Sequence, residues 1–182
     1  MPVLETGGSP FESEVGHHKY EIGNTMRKFD LEEVKAFIAN SSEETKIYIG
    51  ADSERYRDKK DVWQAEYTVA IVIHIDGNKG CKVFGDVSTE RDYDNRHDRP
   101  ALRLMNEVYR AADMYLQLAD AIGDRHCEVH LDINPDILHG SSCVVSQAIG
   151  YIRGTCNVIP MVKPDAFAAS YAADRLREIM AA

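Results

Sequence analysis

Four acidic residues stand where a carboxylate needs an explanation. In KIYIGADSERYR, residues 46–57, alternating Ile47, Tyr48 and Ile49 run into Gly50-Ala51-Asp52-Ser53, so an apolar strand ends on Asp52. CEVHLDI repeats the arrangement and ends at Asp132. Glu107 falls at the rim of the apolar arc of a long helix, and Asp165 stands in the first turn of the last one. A carboxylate taken out of water without a partner costs several kcal/mol, so each must be solvated, paired or bound to a cation. If Asp52 and Asp132 end neighbouring parallel strands, they lie about 5 Å apart across the ladder. Their repulsion would then force a proton onto one of them. A divalent cation converts that repulsion into shared coordination, and hard oxygen donors suit Mg²⁺ or Mn²⁺.

Those carboxylates need elements to hold them. FDLEEVKAFIAN carries Leu31, Val34, Phe37 and Ile38 at helical spacing behind a capping-box-like Asp30 and Glu33, and reads as a short amphipathic helix. After the first strand and the charged turn RDKKD, VWQAEYTVAIVIHI is a long strand rich in β-branched and aromatic residues. Asp76-Gly77-Asn78 turns it back into GCKVFGDVS, which completes a three-strand meander. Pro100 suits the first turn of a helix over residues 101–122. Its apolar arc is formed by Leu104, Met105, Val108, Tyr109, Ala112, Tyr115, Leu116, Ala119 and Ile122. CEVHLDI follows as a strand with Val129, Leu131 and Ile133 on one face and His130 and Asp132 on the other. SSCVVSQAIGYIRG reads as a helix capped by Ser141 or Ser142 and closed at Gly154. NVIPMV is a short strand and KPDAFAASYAADRLREIM a terminal helix.

Three meandering strands followed by alternating helices and strands is the layout of the ribonuclease H-like fold. The expected class is therefore α/β, with a mixed five-stranded sheet, flanking helices and an extra N-terminal helix. That topology places the first and fourth strands side by side, which brings Asp52 to Asp132. Four carboxylates from four elements are what a two-metal phosphodiester site needs, with roughly 4 Å between the ions.

YIGADSE, VHLDIN, the Gly140-Ser141-Ser142 turn, GYIRG and above all KPDAFAASYAADR resemble the YkuK family of ribonuclease H-like proteins. The resemblance runs from about residue 27 to 177. The family signatures are a strand ending Gly-Thr-Asp-Ser, a later His-Ile-Asp-Ile-Gly, and a closing Lys-Pro-Asp-Ser-Phe-x-Ala-Ser. This chain has Ala51 in place of Thr, Asn134 in place of Gly and Ala166 in place of Ser, but keeps Asp52, Asp132 and Asp165. Glu107 lies in the least alignable part. The resemblance implies a nuclease acting on RNA or DNA with two Mg²⁺ or Mn²⁺ ions. Asp52 would bridge both ions, Asp132 and Glu107 would each hold one, and Asp165 would close the second site. Ser53 and Lys163 are the candidates for contact with the substrate backbone.

Other residues compete for roles. Asp174, nine residues beyond Asp165 and about 13 Å deeper along a continuous helix, is the rival fourth ligand. His130 reads as a sheet-surface or supporting residue and His139 as a candidate proton shuttle. Glu66 and Asp86 read as exposed strand residues, and Trp63 and Tyr67 as packing or base-stacking aromatics. HGSSC lacks the Gly-x-Ser-x-Gly elbow of a serine hydrolase.

Bulk properties bound the rest. Residues 1–22 carry no apolar periodicity and read as a flexible arm in which His17-His18 is a weak metal pair, leaving 23–182 as a single domain of the 182 residues. No run of 18 apolar residues and no signal peptide is present, so the expectation is a cytoplasmic protein without membrane association. Cys81, Cys127, Cys143 and Cys156 form no Cys-x-x-Cys pair and read as buried free thiols. A net charge of -9 argues against a surface that grips nucleic acid all over. Arg55, Arg57, Lys59, Lys60, Arg99, Arg103, Arg153 and Lys163 are scattered. The competing expectation is a catalytically inactive relative of the same fold that binds nucleic acid or a protein partner.

Overall fold

Ile47, Ile49 and Ala51 alternate with Tyr48, Gly50 and Asp52, and the two sets face opposite sides of a five-stranded sheet. The computed structural model describes residues 30–77, 79–94 and 98–181. The arm expected over 1–22, with His17 and His18, lies outside the described residues. The elements are α1 (Leu31–Ala39), β1 (Lys46–Arg57), β2 (Trp63–His74), β3 (Cys81–Arg91), α2 (Ala101–Ile122), β4 (Cys127–Leu131), α3 (Val145–Cys156), β5 (Met161–Val162) and α4 (Ala173–Ala181). The sheet order is β3-β2-β1-β4-β5. β1–β2 and β2–β3 pair antiparallel, whereas β1–β4 and β4–β5 pair parallel. The expected mixed sheet with its meander and flanking helices is thus present. Among the described residues no helix is long and apolar enough to cross a membrane.

The first face of the sheet is covered by α1, α2 and α3. Ile47, Ile49, Val129, Leu131 and Ile133 pack there against Val34, Ile38, Val108, Leu118 and Ile152, all at most 1% exposed. Each such side chain contributes about 1.5–3 kcal/mol by leaving water. The second face is covered by the last helical segment through small residues: Ala70 and Val72 meet Ala168, Ala172 and Ala173. That segment approaches β1 so closely that a Cβ on Gly50 would lie 2.4 Å from the backbone nitrogen of Ala169.

Several local expectations are corrected. β1 does not end at Asp52. It continues to Arg57 against β2, and only its parallel pairing with β4 stops, at Ala51 opposite Leu131. Gly154 lies inside α3, which instead closes at left-handed Asn157, a residue type that tolerates that conformation. Ser141 and Ser142 cap nothing by side chain. A 3-10 turn over Gly140–Val144 precedes α3, and Ser141 Oγ accepts from the Asn134 N–H at 3.0 Å. The last helix starts at Phe167, after Asp165, and passes through a π-helical stretch at Ala168–Ala172 before α4. Among the described residues no disulfide links the four cysteines, but Cys143 is exposed and only Cys156 is fully buried.

Gly50→Ala should force the last helical segment off β1. The expected loss is about 1–3 kcal/mol, the range for overpacked sites, read as a lower urea midpoint with an unchanged m-value.

Candidate functional site

The site grows from the divergence of β1 and β4. Asp52 and Asp132 each lie one residue beyond the last parallel pair, Ala51 and Leu131, where the two strands part. Asp52 is held in place by its continuing ladder to Thr68 of β2. Both carboxylates face the last helical segment. On the opposite face, α2 supplies Glu107.

Glu107 was expected on the rim of α2, but the structure places it within the buried face. Leu104, Met105, Val108, Ala111, Met114 and Leu118 are buried beside it, and Glu107 is 2% exposed. The reason is a rotation of the helix relative to its hydrophobic pattern. Tyr109 turns outward to an edge contact with Tyr151 of α3 at 4.8 Å between ring centroids, and Leu116 is half exposed. The orientation of α2 is fixed at its start by Asp94. That carboxylate accepts from the N–H groups of Leu102 at 3.2 Å and Arg103 at 2.6 Å, where Pro100 offers no side-chain cap.

Each of the three acids has partners of the protein's own. Arg177 Nη2 lies 2.5 Å from Asp52 Oδ2 and reaches Glu54 through Nη1 at 3.1 Å. Lys163 Nζ lies 2.9 Å from Asp132 Oδ2, and Ser170 Oγ donates to Asp132 Oδ1 at 2.6 Å. Ser53 Oγ donates to Glu107 Oε1, and Arg103 Nη1 donates to the Ser53 carbonyl at 2.8 Å while lying 3.7 Å from Glu107 Oε1. Among the described residues, Glu107 Oε2 is buried without a hydrogen-bond partner.

The electrostatics follow from that crowding. Burial pushes the Asp52 carboxyl from 3.8 up to about 6; the Arg177 bond opposes the rise and the charge of Asp132 adds to it. Burial, then the charge of Asp52, hold Glu107 well above the usual carboxylate range. The Lys163 ammonium is partly buried, which weakens its charge. Its bond to Asp132 outweighs this, with help from Asp52 and Glu107, and holds it above its usual value. Asp52, Glu107 and Asp132 therefore share one electrostatic neighbourhood.

Asp165 is exposed in the turn between β5 and the last helix, its N–H bonded to the Val162 carbonyl. Asp174, the rival, lies 3.5 Å from Arg177 Nη1. Ser53 is 9% exposed and serves Glu107 and Arg103. His130 is fully buried. Its Nδ1 accepts from the Ala168 N–H at 3.1 Å, and its Nε2 faces Glu128 at 3.0 Å. It thereby clamps the start of the last helical segment, and burial lowers its proton affinity despite Glu128. His139 is exposed. Glu66 is half-buried, 3.9 Å from Arg177 Nε, and Asp86 is half-buried on β3. The guanidinium groups of Arg55 and Arg57 lie over the Trp63 ring, at 4.1 and 4.6 Å from its centre. Tyr67 is buried under Arg110.

The profile of the family described as Ribonuclease H-like matches residues 30–178. The chain belongs to the ribonuclease H-like family. A search of curated proteins and one of solved structures return no match. Membership points to a nuclease-type or nucleic-acid-binding module, and ribonuclease H-like proteins often use divalent metals. Among the described residues, no three His, Cys, Asp or Glu side chains form a group that could hold a metal ion as they stand. The donor chemistry nevertheless fits such an ion. Three hard carboxylates, Asp52, Glu107 and Asp132, feel one another's charge, and one buried oxygen of Glu107 has no hydrogen-bond partner among the described residues.

Sequence reasoning did not single out Arg177 or Ser170. The available signal was the run of alanines at 168, 169, 172 and 173, which marks a helix face able to approach a sheet closely.

The raised proton affinities carry a sign. Asp52 and Glu107 hold protons more tightly folded than unfolded, so their contribution to stability is complete below about pH 4 and is lost as pH rises through their folded values. In EDTA, the contribution of these two acids to wild-type stability should fall from pH 5 to pH 8, while that of His130, whose proton affinity burial lowers, rises over the same range. Glu107→Gln, neutral throughout, should show a smaller fall and a higher urea midpoint than wild type at pH 8.

Proposed function

We propose that this ribonuclease H-like chain hydrolyses phosphodiester bonds in RNA or DNA with divalent cations held by Asp52, Glu107 and Asp132. The observation that carries the reading is the buried, unpartnered oxygen of Glu107 beside Asp52 and Asp132, an arrangement that raises the proton affinity of Asp52 and Glu107. A protein gains nothing in stability from such crowding, and perturbed acids of this kind concentrate at functional sites. When bound, Mg²⁺ or Mn²⁺ would lower the proton affinity of a water and neutralise charge on a phosphoryl oxygen. Asp52 would hold the ion together with Asp132, from its own side of the sheet, and Glu107, from the other. Asp165 would serve as a further ligand, and the YkuK-like motifs around Asp52, Asp132 and Asp165 support that assignment.

The chain's own residues have definite tasks in this reading. Ser53 and Arg103 orient Glu107, and Ser170 orients Asp132. Lys163 would exchange Asp132 for a substrate phosphate, its side chain being 41% exposed. Arg177 would have to yield Asp52 for that carboxylate to hold a cation.

One observation favours a second reading. Arg177 and Lys163 already neutralise two of the three acids, as they would in a module that binds nucleic acid without cutting it. The two readings separate in one comparison. With Mn²⁺ and single-stranded, duplex and hybrid substrates, wild type should cleave. Asp52→Asn and Asp132→Asn should lose more than the roughly 10–100-fold typical of supporting residues, and Asp165→Asn should lose less than either. Calorimetric titration of the metal alone should show tighter Mn²⁺ binding to Arg177→Ala than to wild type. Nucleic-acid binding without Mn²⁺ uptake or cleavage would establish the second reading.

A further inference from the structure

A cavity of about 270 Å³ opens between the first turns of α2 and the ends of β2 and β3, lined by Tyr67, Tyr93, Asn106, Arg103, Arg91 and Asp92 among others. It adjoins the acidic site through one shared side chain. Arg103 lines the cavity, and its guanidinium also donates to Ser53, the residue after Asp52, and lies 3.7 Å from Glu107. A strand with a phosphodiester at the acids would have a neighbouring residue within reach of this cavity.

The chemistry of the walls selects among occupants. The volume lies at the small end of ligand sites, which hold one compact group rather than a helix or an extended peptide. The lining charges cancel: Arg91 and Arg103 stand against Glu90 and Asp92. A phosphate would demand a net positive lining, and an acyl chain an apolar one. Of the two lining tyrosines, only Tyr93 offers an open flat surface. Tyr67 is 3% exposed, with Asn106 Nδ2 donating to its hydroxyl at 3.2 Å, and Tyr93 on the rim is 66% exposed, with Arg91 over its ring at 5.3 Å. An exposed aromatic ring beside amide, guanidinium and carboxylate groups matches a planar, uncharged heterocycle with donors and acceptors on its edge.

We propose that this cavity holds one nucleobase of the bound strand, stacked against Tyr93 and hydrogen-bonded at its edge by Asn106. The proposal rests on the nucleic-acid reading above and adds a contact that grips a base rather than the backbone. It also answers the overall charge of -9. A protein with few free cations can hold a strand through stacking, which is tolerant of sequence because every base offers a π-face.

The test reads binding without cleavage. Fluorescence anisotropy is measured with the full chain in EDTA, using short labelled single strands of RNA and of DNA, each intact and with abasic positions. Intact strands should bind wild type roughly tenfold more tightly than Tyr93→Ala, the scale of one stacked base. Tyr93→Trp should bind like wild type, and Tyr171→Ala, at an exposed position outside the cavity lining, should be unaffected. Abasic strands should bind wild type and Tyr93→Ala equally weakly. A difference between the RNA and DNA arms would assign the sugar preference of the same pocket. Equal binding of intact and abasic strands to wild type, unchanged binding by Tyr93→Ala, or no strand binding at all would overturn the proposal. Absence of cleavage in Mn²⁺ with base-dependent binding retained in EDTA would sink the hydrolytic reading and leave the pocket standing.

Discussion

Three carboxylates confined to a region poor in water set the terms for everything around them. Like charges in such a place cannot all ionise without help, and the chain answers with a different device for each. A guanidinium from the last helix meets Asp52, an ammonium and a hydroxyl meet Asp132, and a hydroxyl braced by Arg103 meets Glu107. The help is incomplete, because one oxygen of Glu107 finds no partner among the described residues. Incomplete satisfaction of a buried charge is costly, and that cost is the reason to read the cluster as a site rather than as packing.

The sheet and the acids were legible to different degrees. Period-two alternation in β1 and β2 and the turn at Asp76-Gly77 follow from local chemistry, so the strand order could be anticipated. The positions of Asp52 and Asp132 were legible for the same reason, since strands buried on one face announce where their pattern breaks. The orientation of α2 was not. Its hydrophobic arc is broad enough to allow more than one rotation, and the choice is made by the Asp94 cap and the Tyr109–Tyr151 contact, neither of which is local. That rotation converts Glu107 from a rim residue into a buried one.

The last helix shows the same limit more sharply. Proline and aspartate in KPDAF suggest a helix start at Asp165, yet the helix begins at Phe167 and widens into a π-helical stretch. The register shift decides which residues meet the sheet. Ser170 and Arg177 do so because Ala168, Ala169, Ala172 and Ala173 seat the segment on the sheet and because Gly50 offers no side chain to hold it away. The distance between helix and strand is set by backbone, and long polar side chains beside the contact must then reach the carboxylates. A sequence read element by element does not display that distance.

The alanine seat has a mechanical consequence. Ser170 and Arg177 are carried by one rigid rod that rests on β1 almost without cushioning, so there is little soft material between them to absorb a displacement. Shifting the rod would withdraw the hydroxyl from Asp132 and the guanidinium from Asp52 in a single stroke. The two acids, though supplied by different strands, are ganged like contacts on one switch arm.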